Sequence, residues 1–141
     1  MLTESNKIIG RRFLELVSVG NVNEICEMIS APWRMHTGLN GLQSDVGPEG
    51  VRKLFDSFGK IKQAWAIQDV IAEDDKVVVR ATNTCLQERF FDVRSNGREQ
   101  TFMAIFIHRI KDGKIEETLR NADDLGRFLQ LGAQIRPAGH N

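Results

Sequence analysis

The sequence predicts an α+β fold in which helices pack on one face of a bent antiparallel sheet. Three observations predict it. Apolar residues recur at helical spacing through the first sixty or so positions. From residue 63 the apolar period changes to two. The strand-like runs that follow are separated by tight-turn signals in hairpin order, and one last helical pattern closes the chain.

Each element has a local cause. Residues 4 to 19 place Ile8, Ile9, Phe13, Leu16 and Val17 on one helical side, and Gly20 ends that helix. Residues 22 to 29 read as a second short helix, capped by Asn21 or its neighbour. A short strand runs from about Trp33 to His36. The glycine-rich loop TGLNGLQSDVGPEG follows, with Pro48 placed where the first turn of a helix accepts it. That helix reaches about Phe58, with Val51, Leu54, Phe55 and Phe58 on one side.

Residues 63 to 72 read as a strand, EDDK as a turn, and 76 to 91 as a long strand. RSNGR is a turn carrying an Asn96-Gly97 signal, 100 to 110 the next strand, KDGK a hairpin, and 114 to 121 the last strand. Residues 123 to 131 form the closing helix, with Asn121 or Asp123 as its cap, and RPAGHN reads as a flexible tail over 136–141. A chain of 141 residues is read as one domain over 1–141, long enough to bury a core.

Nineteen basic residues balance nineteen acidic ones, which argues against a nucleic-acid partner. No apolar run approaches the ~20 residues needed to span a bilayer, and the N-terminus lacks a signal core, so no membrane partner is expected. Cys26 and Cys85 make no CxxC and no metal spacing. Free thiols then point to a reducing, cytoplasmic location. GPEG lacks the Lys-Ser/Thr of a phosphate loop, and no HExxH, Cys/His cluster or serine elbow is present. No cofactor and no metal are expected.

The segments GPEGVRKLFDSF, AEDDKVVVRAT, SNGREQTF, IHRIKDGKI and DLGRFLQLGA occur in the order and spacing of a known family. With them the chain, from about residue 5 to 135, resembles the SnoaL-like polyketide cyclases of the nuclear-transport-factor-2-like superfamily. The resemblance implies a cone-shaped α+β barrel, a strongly curved sheet around N-terminal helices with one central pocket, as a homodimer. It also implies cofactor-free chemistry on natural-product intermediates. Ketosteroid isomerase, limonene epoxide hydrolase and fungal meroterpenoid isomerases share the architecture, as do non-catalytic binding domains.

Candidate site residues follow from the residues and the resemblance together. His36 stands where the family pattern often has a histidine, and imidazole titrates near neutrality. It is either the acid/base or a loop-edge histidine. Alternation puts Phe102, Ala104, Phe106 and His108 on one face of an apolar strand expected to be covered on both sides. His108 either reaches the pocket rim or is a satisfied core histidine. Arg80 stands where the family commonly has arginine, on a face with Thr82 and Thr84. It either binds a substrate oxygen or pairs with a surface carboxylate.

The resemblance also exposes departures. Alignment of Gly113, Lys114 and Ile115 puts Thr118 at the family's histidine and Arg120 at the catalytic aspartate, so the classical acid is missing. Cys85 and Leu86 replace a threonine-histidine pair. Thr118 and Arg120 share a face with Glu116. A buried arginine needs a partner, for which Glu88, Glu116, Asp123 or an acidic substrate are candidates. Asp45 could swing over a pocket mouth, and Trp33 and Trp65 either wall the pocket or fill the core.

The resulting expectation is a cofactor-independent isomerase or cyclase of secondary metabolism. It would act on an apolar polycyclic, polyketide- or meroterpenoid-type small molecule through an enol or enolate. His36, Arg80 and Arg120 are the expected catalytic residues, and Thr82, Thr118, His108, Trp33, Trp65 and Asp45 the substrate contacts. The alternatives are a non-catalytic ligand-binding or dimerisation module and a cyclase with its acid moved to Asp45 or Asp123.

Overall fold

A computed structural model describes residues 2–37 and 44–139. The helices are α1 (Leu2–Val19), α2 (Val22–Met28), α3 (Gly47–Phe58) and α4 (Asp124–Gln130). The strands are β1 (Met35–Thr37), β2 (Ile61–Glu73), β3 (Lys76–Gln87), β4 (Arg89–Phe90), β5 (Val93–Arg94), β6 (Gln100–Lys111) and β7 (Lys114–Ala122). Part of the expected glycine-rich loop, residues 38–43, lies outside the described residues, as do the tail residues 140 and 141.

Five strands form one sheet in the order β1-β7-β6-β3-β2. The fold is the predicted α+β architecture, but the sheet is open, with β1 and β2 as its edges. It is also mixed: β1 runs parallel to β7, pairing Met35 with Thr118 and Thr37 with Arg120. The chain reaches β1 through the helices, not through a hairpin, which removes the antiparallel constraint. The long strand expected over 76–91 stops at Gln87. Phe91, at φ 53°, turns the chain into the small β4–β5 hairpin.

The other turns follow their sequence signals. Asp112-Gly113 joins β6 to β7 with both residues at positive φ, which the right-handed twist of a two-residue hairpin favours. Asn21 caps α2 by accepting from the Glu24 amide, and Asp123 caps α4 by accepting from Gly126.

Helix α1 lies on β2 and β3. It presents Asn6, Gly10, Phe13, Leu14, Leu16 and Val17 inward, while Ile8 points out, against the expected apolar side. Beneath it β3 buries Val77, Val79, Ala81, Asn83, Cys85 and Gln87, and β6 buries Phe102, Ala104, Phe106 and His108. The opposite face of the sheet exposes Met103, Ile105 and Leu119. The strand expected to be covered on both sides is therefore covered on one, because no described helix crosses that face.

Candidate functional site

The inward face of the sheet, α1 and α3 enclose a cavity of about 480 Å³. Its walls are mostly apolar and rich in aromatic rings, including Phe13, Phe55, Phe58, Trp65, Phe102 and Phe106. Phe90 and Phe91 add the β4–β5 hairpin to the wall. Such a space is large enough for a small, largely apolar molecule.

The polar lining comes from several elements and includes Thr37, Ser44, Ser57 and Arg89. Asn83, Cys85 and Gln87 are successive inward positions of β3, and Gln63 faces them from β2. Arg120 enters from β7 and Arg127 from α4. No Asp, Glu, His or Lys lines the cavity among the described residues.

Arg120 is held by Asp124, four residues further on at the start of α4. Its Nη1 and Nη2 donate to Oδ2 and Oδ1, each at 2.9 Å. Side-chain exposures of 14% and 7% make this a buried, two-pronged pair. Asp124 was not among the partners weighed from the sequence.

Arg127, which the sequence reading did not nominate, is 6% exposed. Its Nε donates to Gln100 Oε1 at 3.2 Å, and Nη2 to Gln87 Oε1 at 2.9 Å. Nη2 also lies 3.9 Å from Cys85 Sγ. The guanidinium stacks 3.7 Å from the centre of the Phe90 ring and 4.4 Å from that of Phe102. Every hydrogen-bond partner is neutral. Burial lowers its pKa, yet a guanidinium keeps its proton in proteins. Two arginines thus share one nearby carboxylate, and the cavity wall carries excess positive charge. Burial, opposed by Arg127, raises the Cys85 pKa and favours the neutral thiol.

Of the nominated residues, Arg120 and Trp65 line the cavity; the others do not. His36 shares β1 with Met35 and Thr37, whose side chains line the cavity. It points the other way, its Nε2 3.6 Å from Glu117 Oε2. Arg80 and Thr82 occupy the outer face of β3, where Arg80 pairs with Asp69 and Thr82 with Gln68. Pocket placement of these two is corrected: α1 covers the Val77–Val79–Ala81 face, so the residues between them turn out. Asp45 is exposed and pairs with Lys53 at 2.9 Å.

Trp33, Thr118 and His108 are wholly buried, but in the core and not on the cavity. Trp33 Nε1 donates to Thr118 Oγ1 at 3.0 Å, and that oxygen lies 2.8 Å from His108 Nδ1. Burial holds the His108 pKa down at about 4, which keeps the ring neutral. His108 is thus a core histidine and not a pocket acid, but it is only half satisfied, since its Nε2 has no partner among the described residues.

Among the described residues no cluster of three or more His, Cys, Asp or Glu is placed to hold a metal. No described helix is long and apolar enough to cross a membrane.

An open curved sheet folded over helices, with an apolar cavity between them, defines a cone-shaped α+β ligand-cavity fold. More narrowly, the chain belongs to the SnoaL-like domain family, whose model matches residues 10–118. Among solved structures it is similar to a candidate polyketide cyclase from Bacillus cereus, with 28% identity over 88% of this chain and 78% of that one and a TM-score of 0.71. TsrD from Streptomyces laurentii is 23% identical over 93% and 97% of the two chains, with a TM-score of 0.80. An LEH-like epoxide hydrolase from M. tuberculosis is 13% identical over 93% and 92%, with a TM-score of 0.76. The last two likenesses are of fold alone. No curated protein matches the chain.

Proposed function

We infer that the chain is a cofactor-independent enzyme of the cyclase or isomerase type. It holds an apolar polyketide- or meroterpenoid-type ring system in the cavity and stabilises an enolate or related oxyanion there. The carrying observation is Arg127, a buried guanidinium on an aromatic cavity with only neutral hydrogen-bond partners. A fixed charge in a water-poor site favours the state in which negative charge develops. Arg120, with two of its nitrogens committed to Asp124, lends positive potential. With no imidazole or carboxylate among the described lining residues, the proton carrier in this reading is water or a group of the substrate.

A second reading, a non-catalytic ligand-binding module, is favoured by one observation: His36, His108 and Asp45 all sit off the cavity. Hydrogen exchange separates the two. The ketone 2-tetralone is incubated with the protein in D₂O, and loss of its α-proton signals is followed by NMR. The enzyme reading expects exchange above the buffer rate, falling by ~10²–10³ in Arg127→Met. Binding of the ketone with exchange at the buffer rate would overturn it and leave the binding module.

A further inference from the structure

Two cavity residues carry buried hydrogen-bonding atoms with no partner among the described residues. Asn83 is 1% exposed; its Nδ2 donates to Gln63 Oε1 at 3.0 Å, and its Oδ1 has no partner. With the two amides oriented so that Asn83 donates to Gln63, the atom left over on Asn83 is its acceptor oxygen. The indole Nε1 of Trp65 is likewise buried and unpartnered. These residues are direct cross-strand neighbours of β2 and β3, which places their Cβ atoms about 5 Å apart. A buried polar atom without a partner is costly, so native proteins seldom leave one in place without a use.

The chemistry of the pair is specific. Trp65 offers only a donor and Asn83 Oδ1 only an acceptor. A single hydroxyl oxygen within reach of both would satisfy both, accepting from the indole and donating to the amide. A carbonyl or carboxylate oxygen cannot, since neither carries a proton to donate.

The position is specific too. Along β3, Asn83 lies one strand repeat, about 7 Å, from Cys85 and two, about 13 Å, from Gln87. Those are the residues that Arg127 touches. The wall between is aromatic.

We propose that Trp65 and Asn83 form a hydroxyl-binding subsite, and that the ligand is a fused-ring compound with an anionic oxygen at Arg127 and a hydroxyl at the far end of its ring system. This rests on the cavity's being a ligand site anchored by Arg127. It adds to that reading a second recognition point and a required spacing.

The test uses the full chain and four probes, measured by titration calorimetry: 2-naphthoic acid, 6-hydroxy-2-naphthoic acid, its 3-hydroxy isomer and 2-naphthol. The 6-hydroxy acid is expected to bind roughly three- to tenfold more tightly than 2-naphthoic acid, the gain of one satisfied hydroxyl. The 3-hydroxy isomer carries the same groups side by side and gains nothing. Trp65→Phe and Asn83→Leu each erase the gain while still binding 2-naphthoic acid, which shows that they remain folded. If both hydroxy acids bind no more tightly than 2-naphthoic acid, the subsite is wrong and the Arg127 anchor stands. An equal gain for both isomers, or one that survives both substitutions, also overturns the subsite. If neither naphthoic acid nor 2-naphthol binds, the ligand-site reading falls with it.

Discussion

Arg120 and Asp124 form a parallel, two-bond ion pair that ties the end of β7 to the first turn of α4, with both side chains largely out of water. Arg120 takes the place at which the family resemblance puts the catalytic aspartate, and the carboxylate that answers it lies four residues further on. The pair is as much a joint of the fold as a part of the cavity.

Arg120→Ala should destabilise the chain by about 3–5 kcal/mol, because Asp124 is left charged and buried. Replacing both partners, Arg120→Met with Asp124→Leu, should recover most of the loss. Urea unfolding of the two variants checks this. A single variant as stable as the parent would show that Asp124 finds another partner.

His108 makes stability depend on pH. Its folded pKa of about 4 lies below the unfolded value of about 6.5. Between those values the unfolded chain binds more protons, so stability rises with pH. The contribution is fully present above about pH 6.5 and is lost as pH falls towards 4. At pH 4.5 the loss is about 2–3 kcal/mol for this one group. Chemical unfolding at pH 7 and 4.5 should show it, and His108→Gln should flatten that part of the profile.

The two faces of β3 predict opposite outcomes for two arginines. Arg127→Met should weaken 2-naphthoic acid binding by about 10- to 100-fold, the loss of a bond to a charged group. Arg80→Ala, on the outer face beside Asp69, should leave that affinity unchanged and shift stability by no more than about 0.5 kcal/mol. Calorimetric titration of both variants decides between this placement and the opposite one.

Gly10 lets α1 approach the sheet. A Cβ there would lie 2.8 Å from Val77 Cγ1 and 3.2 Å from Val79 Cγ2, on side chains that are fully buried. Gly10→Ala should cost about 1–3 kcal/mol by overpacking, despite alanine's better helix propensity. Adding Val77→Ala should return part of it, read as a rise in Tm over the single variant.

Much of the architecture was legible because it rests on local rules. The hairpin at Asp112-Gly113, the caps at Asn21 and Asp123 and the period-two runs each follow from neighbours in sequence. The site was less so. Alternation correctly grouped Arg80 with Thr82 and Thr84, but two faces of a strand are distinguished only by what covers them. A shift of one residue exchanges them. Asn83 and Gln87 on a run with Val77, Val79 and Ala81, and Gln100 at the start of the next strand, were the available signal for a polar cavity wall. Arg127 gave none. In a closing helix an arginine near the C-terminal end is ordinarily a solvated residue that suits the helix dipole.

The sequence by itself determined the order of helices and strands, the turns between them, the family resemblance and the missing family aspartate. These depend on backbone preference and spacing within a few residues. Only the tertiary structure decided which face of β3 is inside, that His36 turns away from the cavity, and that Asp124 holds Arg120 while Arg127 is left with neutral partners. Those outcomes depend on how α1 and α4 seat on the curved sheet. That seating brings together residues far apart in the chain, such as Arg127 with Cys85 and Gln87, and local spacing carries no record of it.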